Sequence, residues 1–227
     1  GVDDWFHQPF AWFGDRTAFR GFSGFNPRFY PSGRRLQENM PFILDCAPVM
    51  NEVVADIGYS GCLGNNPTLD MLMNDLAQHR SLILEKIRAR WSMAEVSRAV
   101  DELCRQQGVE PRHKAYPFSV LAHQVGRLRE SRTKFSVGRF GLRSLNWLTR
   151  ASWRSRQQGT SPLWSSGKRS DHAPVPGLWA VEPHLGFGDV GAKFEELLVI
   201  TEHDAYWLDD DLPHVQRWQR VLQNQVA

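Results

Sequence analysis

Residues 41–61 read PFILDCAPVMNEVVADIGYSG. Two apolar runs, Pro41 to Val49 and Val53 to Tyr59, each carry one carboxylate, Asp45 and Asp56, eleven residues apart. Apolar, β-branched runs bounded by turn residues read as paired strands, so the stretch predicts a hairpin that presents two Asp to one place. Farther along, His123 lies in PFSVLAHQVG (117–126), Glu182 in GLWAVEPHLG (177–186) and Glu195 in KFEELLVIT (193–201). Four hard carboxylates and one imidazole suit divalent Mn, Fe, Co or Zn better than a thiolate site does, and the carboxylate count implies two such ions. Taken singly, each residue has an ordinary explanation: an Asp at a strand end caps a turn, and a His in an apolar strand is a satisfied core group. The ordered set with its flanking motifs turns the reading toward a metal centre.

Together, ILD(x10)D, AHQVG, GLWAVEPHLG and KFEELLVIT resemble the pita-bread metallopeptidase family, which contains methionine aminopeptidase, proline aminopeptidase, prolidase and creatinase. The resemblance runs from Trp5 to Leu208 and implies an α+β fold, a curved antiparallel sheet covered by helices. It carries five metal ligands over to Asp45, Asp56, His123, Glu182 and Glu195. It further implies that Asp56 and Glu195 bridge two ions, that Asp45 binds one, and that His123 with Glu182 binds the other. The implied activity is hydrolysis of an amide C–N bond in a small or short-peptide substrate, of the Xaa-Pro dipeptidase or aminopeptidase kind, through a metal-bridging hydroxide. Glu182 is then the candidate proton shuttle, since a ligand carboxylate can also hydrogen-bond the bridging water.

Two positions depart from the family pattern. Seven residues after His123, where the family carries a second histidine, this chain has Glu130; after FGDRT (13–17), where the family carries another, it reads AFRGF with Arg20. His7 and His172 are the candidate replacements in catalysis, and Arg20, Glu130 and Arg139 the candidate substrate contacts. Because those family groups are displaced, two other functions stay open. One is a non-peptidase metalloenzyme, with creatinase-like C–N hydrolysis or oxygen chemistry at Fe or Mn; the other is a non-catalytic binding protein on the same fold.

The chain has 227 residues, 27 basic and 25 acidic, a balance that gives no general reason to expect nucleic acid or a membrane as partner. A length of this order suits one catalytic domain, residues 1–227. Charge is unevenly spread: Ser131 to Ser170 holds nine Lys or Arg and no Asp or Glu. That block reads as a solvated face or homodimer contact, or as an inserted lid whose arginines grip an anionic group. Three cysteines without a C-x-x-C pattern, no long apolar run and no basic-then-apolar leader fit a cytoplasmic enzyme. The nine tryptophans and thirteen phenylalanines read chiefly as core.

Local signals place the elements. Residues 1–36 read as short strands and turns. Asn65-Asn66-Pro67 opens a helix whose apolar spacing continues to Trp91, and His79 on it is expected to be exposed or capping. Ser92 with Glu95 forms a capping box for a second helix that Gly108 stops. Leu142 to Arg156 is expected to be helical. LWAVEP and KFEELLVIT are expected to pair antiparallel, joined by HLGFGDVGA as a Gly-rich turn. Glu196 should face away from Glu195.

Overall fold

The computed structural model describes residues 1–22, 26–128, 136–137 and 140–226. In chain order the strands are β1 (Asp4–Trp5), β2 (Phe10–Phe13), β3 (Pro41–Cys46), β4 (Pro48–Met50), β5 (Val53–Val54), β6 (Ile57–Cys62), β7 (Glu110–Pro111), β8 (Ala122–Val125), β9 (Ser136–Val137), β10 (Phe140–Gly141), β11 (Leu163–Trp164), β12 (Gly177–Val181), β13 (His184–Phe187), β14 (Val190–Lys193), β15 (Glu196–Ile200) and β16 (Ala205–Trp207). The helices are α1 (Pro67–Arg88), α2 (Met93–Gln107), α3 (Leu142–Gln157) and α4 (Pro213–Val226). Among the described residues, all strand pairs within the sheets are antiparallel.

The 41–61 stretch folds as a hairpin within a hairpin. β3 pairs with β6, with Asp45 opposite Gly58, while the intervening residues form the small β4–β5 ribbon. β3 also pairs with β2, and the resulting sheet runs β2-β3-β6. A five-stranded sheet, β11-β8-β12-β15-β16, lies beside it. The two are stitched by a bridge in which the Gly58 N–H donates to Glu195 O (3.2 Å) and the Glu195 N–H donates to Gly58 O (3.0 Å). A second stitch joins β5 to the end of β8, where the Val54 N–H reaches Gly126 O at 3.3 Å.

The starts of α1 and α2 and the end of α2 lie where their local chemistry directs, while α1 ends at Arg88, short of the Trp91 to which its apolar spacing runs. The Asn66 side chain accepts from the Leu69 N–H ahead of Pro67 in α1, and in α2 Ser92 and Glu95 make both halves of a capping box before Gly108, at φ 71°, ends it. Their apolar faces cover the five-stranded sheet in one core containing Leu72, Leu76, Ile83, Val96, Val100, Trp164, Trp179, Phe194 and Leu198. α4 docks through Trp218, whose indole N–H donates to Met73 O at 2.7 Å. Among the described residues, no helix is long and apolar enough to cross a membrane.

Two expectations are corrected. HLGFGDVGA is not a simple turn: it forms the β13–β14 hairpin, which pairs with β7 rather than with the sheet it connects. His79 is neither exposed nor a cap. It is fully buried, and its Nε2 lies 2.8 Å from Gln107 Oε1 across the α1–α2 interface. Burial without an acid partner pushes its pKa down to about 4.

Candidate metal centre

The seam between the two sheets is where the acidic residues meet. Asp45 projects from β3 opposite Gly58, and Glu195 is bonded to Gly58 from the other side. Asp56 stands one residue before β6. His123 in β8 pairs with Ala180 of β12, and Glu182, just beyond β12, fixes its backbone by donating to Leu121 O at 2.9 Å. Only a residue without a side chain fits at the crossing. A Cβ on Gly58 would stand 2.9 Å from both Glu195 Cβ and Lys193 Cε.

All five expected ligands are thus brought together, and two further residues join them. The first is His7, on the segment between β1 and β2. Its Nδ1 lies 3.0 Å from Gln8 O, and a carbonyl can only accept, so Nδ1 carries a proton and Nε2 faces inward. Nε2 stands 3.4 Å from Asp45 Oδ1 and 3.4 Å from Asp56 Oδ1. His123 repeats the arrangement: Nδ1–H donates to Gln124 O (3.2 Å), and Nε2 lies 3.2 Å from Asp56 Oδ2. Both rings are clamped by aromatic neighbours. Phe6 stacks on His123 at 5.5 Å between centroids, and Phe10 stacks on His7 at 5.1 Å.

The second is Lys193, which is 1% exposed. Its ammonium donates to Asp45 Oδ2 (2.8 Å), Glu182 Oε2 (2.8 Å) and Glu195 Oε2 (2.9 Å), so the three donors of the group meet three carboxylates. The Tyr116 ring lies 5.4 Å from Nζ. That ring is itself fixed: His184 Nε2–H donates to Thr17 O (2.8 Å), so Nδ1 must accept the Tyr116 O–H (2.9 Å). Burial and the Lys193 charge hold His184 well below its usual pKa, which keeps it the neutral tautomer this chain of bonds needs.

Electrostatics divide the nest in two. Burial opposes charge on Lys193, but Asp45, Glu182 and Glu195 outweigh it and hold the ammonium well above its ordinary pKa. Burial works against both Asp56 and His7. The His7 charge nevertheless keeps Asp56 well below the carboxylate range, and Asp56 with Asp45 pushes His7 up to about 9. Burial and the Asp56 charge drive Glu195 well above its normal value, and burial raises Glu182 too, with Lys193 pulling both back.

The two halves of the nest suit a divalent ion differently. Asp45 Oδ1, Asp56 Oδ1 and Asp56 Oδ2 are buried and, among the described residues, make no contact that meets hydrogen-bond geometry beyond the 3.2–3.4 Å approaches of the His7 and His123 Nε2 atoms, an arrangement that a shared cation would serve. Ligand atoms of His7, Asp45 and Asp56 lie within 4.8 Å of one another. The 3.4 Å separations of His7 Nε2 from both carboxylates match the edge of a tetrahedron of ligands at roughly 2.1 Å from a common ion. Asp56, His123 and Glu195, and likewise Asp45, Glu182 and Glu195, also group within 4.8 Å, but the latter three already share Lys193.

Other expected site residues lie elsewhere. His172 uses both ring nitrogens on backbone, with Nδ1 at 2.9 Å from Ala173 O and Nε2 accepting from the Ser161 N–H at 3.0 Å; it braces the turn before β11 rather than joining the nest. Arg20 is exposed and pairs with Asp189 of the β13–β14 turn at 3.1 Å. Glu130 and Arg139 lie outside the described residues. Sequence reasoning missed Lys193, although strand alternation carried the signal: two residues before Glu195, it emerges on the same face, while Glu196 turns away to Arg80 and His214.

A sheet seam holding a buried nest of carboxylates and imidazoles offers the donor set that divalent metals take. The chain is a member of metallopeptidase family M24, whose family model matches residues 1–202. No curated protein sequence matches it. Among solved structures, it is similar to X-Pro aminopeptidase from Thermotoga maritima, with TM-score 0.65 and 16% identity over 94% of this chain and 49% of that one. It is similar also to the prolidase of Pyrococcus horikoshii OT3, with TM-score 0.62 and 15% identity over 92% and 49% of the two chains, and to Xaa-Pro dipeptidase from Bacillus anthracis, with TM-score 0.61 and 15% identity over 91% and 47%. The chain therefore spans about half the length of these proteins. At such identities the likeness establishes the fold, the α+β pita-bread architecture expected from the motifs.

Proposed function

We propose that the protein is a metal-dependent hydrolase that cleaves an amide C–N bond of a short, peptide-like substrate, with Xaa-Pro dipeptides or peptides with N-terminal Xaa-Pro as the first class to test. The observation that carries this reading is the convergence of buried Asp45 and Asp56 oxygens on the Nε2 atoms of His7 and His123 at 3.2–3.4 Å. A bound divalent ion supplies an acidified water and polarises the scissile carbonyl. The chain's own groups do the rest. Lys193 holds Asp45, Glu182 and Glu195 in place, and the two imidazoles hold Asp56 from either side. Glu182, whose pKa burial raises against the pull of Lys193, is suited to take a proton from water and return it to the leaving amine.

The same reading treats residues 1–227 as one catalytic unit and residues 131–170 as a basic insertion or lid, of which the described α3 lies near the centre. In support, Trp147 of α3 packs edge-on against Phe6 at 6.2 Å, and Phe6 is the ring stacked on His123. Lys193 also favours a second reading, a shifted C–N hydrolysis of a non-peptide substrate, because it alters the charge of the nest. Turnover of Xaa-Pro dipeptides, N-terminal Xaa-Pro peptides and small amidines or ureas, with added Mn or Co, separates the two. Peptide turnover lost in His123→Ala and Glu195→Ala supports the first; turnover of the non-peptide substrates alone supports the second; folded, metal-loaded protein without either refutes both.

A further inference from the structure

Lys193 stands among carboxylates that the resemblance assigns to two metal ions. Its ammonium holds one oxygen each of Asp45, Glu182 and Glu195, that is, a ligand expected for one ion, a ligand expected for the other, and a ligand expected to bridge them. A cation bound to all three competes with metal for those oxygens and already supplies positive charge there. The oxygens it leaves to other partners are Asp45 Oδ1 and the two of Asp56. These face His7 Nε2 and His123 Nε2.

We infer that this centre takes one divalent cation rather than two, with His7 Nε2, Asp45 Oδ1 and Asp56 Oδ1 as its protein ligands, and that the Lys193 ammonium serves as the permanent second cation. His7 is thereby a metal ligand outside the expected set of five. Three features support it. The His7 Nδ1 proton is committed to Gln8 O, which aims Nε2 inward as metal-binding imidazoles are aimed by an outer hydrogen bond. Asp45 divides its two oxygens between the two cations, Oδ1 toward His7 and Oδ2 to Lys193. Lys193 is held too well to step aside: Ser60 Oγ–H donates to its carbonyl (2.7 Å), its N–H donates back to Ser60 Oγ (2.8 Å), and Gly58 and Tyr116 enclose its side chain.

This inference rests on the metal-dependent reading above and deepens it, so the experiment must tell their failures apart. The chelator-treated chain is equilibrated with Mn(II), its metal content measured by elemental analysis, and the bound ion examined by electron paramagnetic resonance, with no activity needed. The expected result is about one equivalent per chain, with the resolved hyperfine pattern of an isolated ion. In His7→Ala, affinity should fall by more than the ~10–100-fold that loss of an outer partner typically causes. In Lys193→Met, the capacity should rise to about two with an exchange-coupled spectrum, whereas Lys193→Arg, which keeps the charge if Lys193→Met fails to fold, should stay at one. Two coupled ions in the unaltered chain, or one ion indifferent to His7→Ala, would overturn the inference while leaving a metal hydrolase standing. No Mn(II) bound at any concentration would overturn both.

Discussion

Replacing Asp56 by Asn removes a buried charge while keeping nearly the same shape, and its effect should be read at His7. In the metal-free protein, Asp56 and Asp45 together hold the His7 imidazolium against burial and push its pKa from 6.5 to about 9. That difference corresponds to about 3 kcal/mol of preference for the charged ring. Because the folded value is the higher one, the associated stability is fully present below pH about 6.5 and disappears as pH rises through about 9. For a chain of this size about 3 kcal/mol corresponds to roughly 6–12 °C in Tm. The measurement is a histidine-selective NMR titration of chelator-treated protein, with His7→Gln to assign the resonance, beside thermal unfolding from pH 6 to 10. In Asp56→Asn, His7 should titrate near or below 6.5, since burial then dominates, and the alkaline loss of Tm should shrink. A His7 that still titrates near 9 in that variant would show that the coupling across the 3.4 Å contact is not the cause.

Four further outcomes follow from the same geometry. Gly58→Ala places a Cβ 2.9 Å from Lys193 Cε and Glu195 Cβ, and should cost about 1–3 kcal/mol as an overpacked site, seen as a lower urea midpoint at unchanged slope. Phe194→Ala empties a fully buried position against Trp207, His214 and Trp218 and should cost about 3–5 kcal/mol; a loss under about 1 would contradict the packing. His79, with its pKa held down to about 4, stays neutral in the fold while the unfolded chain takes up a proton below about 6.5. It should therefore destabilise the protein progressively between those values, by about 3 kcal/mol at the acid end, an effect that His79→Gln removes from the acid limb of a stability–pH curve. Saturating Mn(II) at about 100 times its Kd should raise stability by about 2.7 kcal/mol, and a chelator should reverse the gain; an unchanged Tm would contradict metal binding to the folded state.

Much of this molecule is written in short-range chemistry. The starts of α1 and α2 follow from Asn66-Pro67 and the Ser92–Glu95 box, and the end of α2 from Gly108, because backbone groups at helix ends need partners and those side chains provide them a few residues away. The paired strands around Asp45 and Asp56 follow from β-branched apolar runs around a turn, and the family from motifs in which each carboxylate keeps its apolar flanks. What those motifs do not carry is which groups from distant segments reach the same few cubic ångströms. His7 arrives through the path of the segment before β2, and His79 is buried because α2 lays Gln107 against it. HLGFGDVGA folds as a hairpin whose outer partner, β7, comes from more than seventy residues earlier in the chain. Lys193 shares a face with Glu195 by simple alternation, yet whether that face meets solvent or three carboxylates depends on the Gly58–Glu195 bridge and the absence of a Cβ at Gly58. The sequence by itself determined the starts of α1 and α2, the end of α2 and the paired strands, since these depend on neighbours along the chain. Tertiary structure alone decided that a lysine sits among the acidic side chains of the nest, because the energy of a buried charge is set by whatever the fold brings within about 3–4 Å of it.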